Sequence, residues 1–275
     1  MTSAPPIAAE PGVAKPDAVL VVSGMRRAFG GLLAVDVDHL EIQRNSITAL
    51  IGPNGAGKTT LFNLLTGFDR PDGGRWHFDG VGLEGTPAHR IARAGMVRTF
   101  QLTKALAGLS VLDNMLLAAP GQRGERFLAA LVRTWREQEK VNTKHARELL
   151  ERYNLAAKAN DYAGTLSGGQ RKLLEMARAL MVDPQLVMLD EPMAGVNPVL
   201  VQSLLDHIRE LRAEGRTVVF VEHDMDVVMN ISDWVVCMAQ GQVIAEGPPS
   251  TIVTNEAVID AYLGAHHGER PEGAR

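Results

Sequence analysis

The apolar run Ile47-Thr-Ala-Leu-Ile51 passes directly into Gly52-Pro53-Asn54-Gly55-Ala56-Gly57-Lys58-Thr59-Thr60, after which Thr59–Leu65 has a helical pattern. A short buried strand, a glycine-rich turn and a helix in that order form a phosphate-binding loop. The glycines let backbone N–H groups converge on phosphate oxygens, and the helix start adds the positive end of its dipole. Lys58 is expected to reach the β- and γ-phosphates of a nucleotide, and the Thr59 hydroxyl to ligate Mg²⁺.

The rest of the chain has to supply an α/β frame for that loop. β-type segments are expected near Val19–Val22 and Leu33–Ile42, with Gly30-Gly31 between them. Gly73-Gly74 and Gly80 bracket a hairpin around Trp76–Phe78. From about 103 to 164 strand signals vanish and charged helical stretches such as Leu128–Glu151 dominate, which predicts a helical lobe inserted in the core. Alternation then returns. A helix is predicted over Arg171–Val182, with Leu173, Met176, Ala177, Leu180 and Met181 on one face. A buried strand follows at Leu186–Leu189, then a helix over Val199–Glu214 with Val201, Leu204, Leu205, Ile208 and Leu211 inward. Thr217–Val221 reads as a strand, and Trp234–Met238 with Gln242–Ala245 as a terminal hairpin. Residues 1–17, rich in Ala and Pro, read as a disordered lead-in, and 264–275 as a flexible polar tail in which His266 and His267 are solvated.

Composition excludes several classes of function. The 28 Lys and Arg against 32 Asp and Glu give a net charge of −4, which offers no electrostatic attraction for nucleic acid. The single cysteine, Cys237, lies in an apolar run and reads as a core residue in a reducing compartment. No apolar stretch approaches the roughly 18 to 20 residues of a membrane-spanning helix. The start of the chain lacks the basic and apolar regions of a signal peptide. A cytoplasmic location is therefore expected, with any transport role requiring separate membrane partners.

Two further segments complement the phosphate loop. The strand Leu186–Leu189 delivers Asp190 to its end, where a carboxylate can help to hold Mg²⁺. Glu191, one residue on, can orient or deprotonate an attacking water. Leu166-Ser167-Gly168-Gly169-Gln170 precedes a helix, so Ser167 and Gly169 can offer donors to a γ-phosphate.

At this point the sequence resembles the ABC ATPase superfamily, whose signature motif Leu166–Gln170 matches residue for residue. The resemblance implies an α/β fold: a P-loop NTPase core of the ABC ATPase type, with an antiparallel β subdomain and an inserted helical subdomain, over 18–263. It implies an ATPase with ATP and Mg²⁺ as cofactors, bound by Gly52 to Thr60 together with Ser167, Gly168, Gly169 and Gln170. Gln101 in Thr99-Phe100-Gln101 is similar to the family's glutamine that touches Mg²⁺ and water. His223 in Val221-Glu222-His223-Asp224 is similar to its switch histidine on the γ-phosphate. Phe29 stands where the family places an aromatic to stack on adenine, although a Phe there can equally serve the core. The implied active form is a head-to-tail dimer with a second identical or homologous ATPase subunit. Each P-loop site would be completed by the opposite Ser167–Gln170.

Finer details resemble the ATP-binding proteins of branched-chain amino acid importers. They are Arg27–Gly31 with Leu32-Leu33-Ala34-Val35, Arg98-Thr-Phe-Gln101, Ala194-Gly195-Val196-Asn197-Pro198 and Val258-Ile-Asp-Ala-Tyr262-Leu-Gly264. Asn197 departs from the Asp that most ABC ATPases carry, and agrees with this branch. The implied partners are two integral membrane permease subunits and, indirectly, a solute-binding protein, with the chain peripheral on the cytoplasmic face of the membrane. Leu106, Leu109, Val111 and Leu112 are candidates for gripping a membrane-subunit helix or for core packing. Export is the alternative direction of transport. A soluble ABC switch protein is the alternative class, although such proteins usually carry two cassettes or a long coiled coil.

Overall fold

The computed structural model describes residues 8–99, 105–120 and 135–267, without the side chains of 135, 136, 199 and 264–267. The chain opens on a long hairpin, β1 (Ala18–Phe29) and β2 (Leu32–Gln43). From Val35 on, β2 alternates buried positions with more open ones, the pattern of a sheet packed chiefly on one face. β1 runs well past the expected Val19–Val22, because its pairing to β2 continues through a bulge at Arg27/Ala28 as far as Phe29 opposite Leu32. β3 (Ile47–Ile51) leads into α1 (Lys58–Leu65). β4 (Gly73–Phe78) and β5 (Val81–Gly82) form the hairpin expected around Trp76, and β4 pairs with β1 to give a four-stranded antiparallel sheet, β2-β1-β4-β5.

A short helix, α2 (Ala88–Arg93), and strand β6 (Met96–Arg98) precede the helical lobe. The lobe comprises α3 (Val111–Leu117), α4 (Trp135–Arg152) and the start of α5 (Gly168–Leu180). Then come β7 (Leu186–Asp190), α6 (Pro198–Ala213), β8 (Thr217–Val221), α7 (Met225–Ile231), β9 (Trp234–Ala239) and β10 (Gln242–Gly247). Two helices, α8 (Pro249–Ile252) and α9 (Glu256–His267), close the described chain.

The second sheet has the order β10-β9-β3-β8-β7-β6, parallel from β9 to β6, with β10 antiparallel at one edge. β3, β7 and β8 are buried at all five positions, as strands covered on both faces must be. One core lies between this sheet and the antiparallel sheet and includes Leu20, Leu61, Phe62 and Met188. The other joins the parallel sheet to the helical lobe through Met115, Leu150, Tyr153, Leu166 and Leu174. The expected inward faces of α5 and α6 are buried, apart from the half-buried Val201.

Two expectations about the ends are corrected. The second half of the 1–17 lead-in is packed against the fold. Lys15 Nζ forms a buried ion pair with Glu246 Oε2 at 2.7 Å and lies 4.0 Å from the centre of the Trp234 ring. Glu246 also accepts from the Gly12 and Val13 amides and from the Trp234 indole, so a buried carboxylate ties the segment down. At the other end α9 continues to His267, past the expected limit at 264. Among the described residues no helix is long and apolar enough to cross a membrane.

Candidate functional site

β3, β8 and β7 are neighbours, and their register is level at the ends, with Leu50 and Asp190 both opposite Val221. The residues that follow therefore leave one edge side by side: Gly52 onward from β3, Glu222 and His223 from β8, Glu191 from β7. This is the carboxyl edge, where open α/β sheets hold ligands.

A cleft of about 530 Å³ opens there. Asn54 to Thr60, Glu191 and His223 line it, joined by Leu32, Leu33, Ala34 and Gln240. Two of the loop's glycines are required by close approach. A Cβ on Gly52 would stand 2.1 Å from the Met238 carbonyl oxygen, and one on Gly57 2.3 Å from that of Ala34. Both residues also have positive φ, 144° and 99°. Lys58 Nζ folds back to donate to the Gly52 and Pro53 carbonyls at 2.6 and 3.0 Å. Burial pushes its pKa below the usual lysine range, against the pull of Glu191 and Asp190.

Glu191 Oε1 lies 2.8 Å from His223 Nε2. Glu191 adopts φ 46°, the left-handed region that a non-glycine residue rarely enters. Its amide donates to Val221 O at 3.1 Å and its carbonyl accepts from Lys172 Nζ at 3.1 Å. Asp190 is buried behind this pair. Arg98 donates to its Oδ2 at 2.5 Å and to Asn63 Oδ1 at 2.5 Å. Asp190 Oδ1 is buried with no hydrogen-bond partner among the described residues, an acceptor that a cation would satisfy.

Ser167, Gly168, Gly169 and Gln170 stand elsewhere, none of them lining the cleft. Ser167 Oγ accepts from the Gln170 amide, and Gln170 Oε1 accepts from the Ser167 amide, a reciprocal capping box at the start of α5. Ser167 and Gly168 are exposed. Phe29 is exposed too, at 47%, with the Arg27 guanidinium 4.6 Å from its ring centre. It does not line the cleft, although its cross-strand partner Leu32 does. Gln101 lies outside the described residues. Asn197 caps α6 by accepting from the Leu200 amide at 2.9 Å.

Sequence reasoning gave no role to Glu222, Arg98, Lys172 or Tyr262. Glu222 Oε1 accepts from the Met193 amide at 2.9 Å and its Oε2 from the His223 amide at 3.3 Å. Burial raises its pKa above the ordinary carboxylate value. A glutamate closing the apolar run Thr217–Val221 was the available signal for it. Cys237, fully buried, is the core residue expected, its thiol pushed up to about 12 by burial.

A family model described as ABC transporter matches residues 35–194. The chain belongs to the ABC transporter family. A second model, described as branched-chain amino acid ATP-binding cassette transporter, matches residues 242–268. The high-affinity branched-chain amino acid transport ATP-binding protein BraF of Pseudomonas aeruginosa is 45% identical, over 90% of this chain and 98% of its own length. The corresponding LivG protein of Escherichia coli is 43% identical over the same shares. A solved ATP-binding cassette of an ABC transporter, in its ADP conformation, superposes with a TM-score of 0.78 at 34% identity, covering 90% of this chain and 99% of that one. This member is thus an ATP-binding cassette with the ATPase activity that powers transport.

Proposed function

We propose that the chain energises uptake of branched-chain amino acids by binding and hydrolysing ATP as one of two cassettes beneath two membrane permease subunits. The cargo rests on the match over residues 242–268 together with relatives named for that transport. The mechanism rests on the Glu191–His223 contact at the mouth of the P-loop cleft. Glu191 positions and deprotonates the water, and His223 and Lys58 stabilise charge developing on the transferred phosphoryl group. Lys58 must leave the Gly52 and Pro53 carbonyls to do so, and exchanging two carbonyl acceptors for phosphate oxygens favours that move. Thr59 and Asp190, with Gln101, would hold Mg²⁺, and the orphaned Asp190 Oδ1 suits that role. When bound, Mg²⁺ neutralises negative charge on the β- and γ-phosphates.

Ser167–Gln170 is exposed or half-buried and lies outside its own chain's cleft, which supports its completing the site of a second cassette. Phe29 would stack on adenine from beside Leu32. On the helical lobe Leu106 is 50% exposed, whereas Val111 is fully buried and Leu112 packs against the core. Leu106 is therefore offered to the permease and Val111 is not. The chain is placed on the cytoplasmic face of the membrane, with a solute-binding protein acting from the other side.

The test is ATP hydrolysis by the chain assembled with its permease subunits and paired cassette, with solute-binding protein loaded with leucine or empty. Stimulation by the loaded form is expected. Turnover indifferent to leucine would overturn the cargo and leave the ATPase standing.

A further inference from the structure

The loop that cradles phosphate is held from behind by a residue far away in sequence. The Gly52 amide donates to the Tyr262 hydroxyl at 2.9 Å across 210 positions. Tyr262 lies on α9, which packs against β10, and its half-buried ring rests on the core that includes Cys237. Gly52 is where β3 turns into the P-loop, and its carbonyl is one of the two that hold Lys58 Nζ. Within the loop the Lys58 ammonium bridges the Gly52 and Pro53 carbonyls, and the Gly241 amide donates to Ala56 O at 3.1 Å. The Tyr262 side chain thus joins α9 to the loop by a hydrogen bond. It falls within residues 242–268, the segment matched by the branched-chain amino acid cassette model.

We propose that Tyr262 is a positioning residue for nucleotide: its hydroxyl fixes the Gly52 peptide and so couples the C-terminal helix to the P-loop. The phenol takes the N–H of Gly52, which does not line the cleft, and leaves Asn54 to Thr60 free for phosphate, so its effect is preorganisation. Without the hydrogen bond the entrance of the loop must be ordered when nucleotide binds, and that cost appears in affinity. Glu191 and His223 hang from other strands, so the chemical step is spared. Coupling is reciprocal, so nucleotide at the P-loop must also steady α9. Burial pushes the phenol pKa above its usual range, which keeps the hydroxyl neutral. The proposal rests on the P-loop reading above.

The experiment compares the full chain with Tyr262→Phe, which removes one oxygen and keeps the ring. MgADP affinity is measured by calorimetry, KM and kcat by steady-state hydrolysis, and amide exchange in residues 256–263 with and without MgADP. The variant should raise the MgADP Kd and the KM for ATP by roughly three- to tenfold, the loss of one buried hydrogen bond. Its kcat at saturating ATP should stay within about twofold. MgADP should slow exchange in α9 of the parent and not of the variant. Unchanged Kd and KM overturn the proposal, even if the nucleotide-free variant melts lower, because a purely structural role lowers melting without touching affinity. Lys58→Ala is run beside it. Lost MgADP binding there keeps the P-loop reading separate from a failure of Tyr262, and retained binding would overturn both.

Discussion

His223 Nε2 and Glu191 Oε1 meet at 2.8 Å, bringing together the ends of two adjacent parallel strands. Glu191 holds the left-handed φ of 46° because its amide and carbonyl are tied to Val221 and Lys172. The backbone ties and the His223 contact hold the carboxylate in place, as the proposed role of a base aimed at one water requires. Glu191→Gln keeps the shape and removes the basicity. Hydrolysis should fall by roughly 10²- to 10⁴-fold, the usual range for a lost general base, with MgADP affinity retained. Single-turnover kinetics and calorimetry on the variant check both halves, and near-normal turnover would mean that another group is the base.

Lys58 is buried against its own loop, and burial has lowered its pKa, so its charge awaits a stronger partner than two carbonyls. Replacing it by Ala would remove the charge-assisted hydrogen bond to phosphate proposed for it. Nucleotide affinity should fall roughly tenfold to hundredfold. Fluorescence titration with a labelled ATP checks this, and unchanged affinity would remove Lys58 from the site.

Most of this frame was legible in the chain because it rests on local patterns. The runs Ile47–Ile51 and Thr217–Val221 are apolar but for one Thr each and bounded by Gly or polar residues, and both strands have those bounds. Ser23-Gly24 and Arg26-Arg27 interrupt the apolar pattern of β1, so the sequence predicts only its first part. Its later half is held by pairing to β2 and β4, which no local pattern reports. In the site, Lys58, Glu191 and His223 were findable from motif order. Arg98 on Asp190, Glu222 on the Met193 amide and Tyr262 on Gly52 were not, since each acts through a partner distant in the chain. Lys15 misled for the same reason. A lysine in an Ala- and Pro-rich stretch looks solvated until Glu246, 231 residues on, is placed beside it.

That ion pair carries its own prediction. Lys15 and Glu246 are almost wholly buried, and Trp234 stacks on the ammonium while its indole bonds the same carboxylate. Lys15→Met leaves the Glu246 charge buried with only neutral donors. The cost should be about 3 kcal/mol of folding stability, in the range for breaking a buried pair by removing one partner. Adding Glu246→Gln should recover part of that loss, because the stranded charge goes with it. Urea unfolding of the two variants beside the parent measures both, and a cost below about 1 kcal/mol for Lys15→Met would be that of a solvent-screened pair.

Glu222 gives the pH dependence. Burial lifts its folded pKa above the ordinary 4.5, with the neighbouring Glu191 adding in the same direction, while the Met193 and His223 amides pull it down without cancelling the rise. The folded state therefore binds a proton more tightly than the unfolded chain does. The stabilisation from this titration is full below 4.5 and is lost as pH rises through the folded value. Glu222→Gln keeps an acceptor for the Met193 amide and removes the titration. Relative to the parent, the variant should gain stability as pH is raised from 4.5 through the folded value, the window over which the parent loses this stabilisation. Urea unfolding at a series of pH values reads this directly. A stability difference that stays flat across that range would mean that the Glu222 carboxylate is not held above its ordinary value where it joins the Glu191 loop to His223.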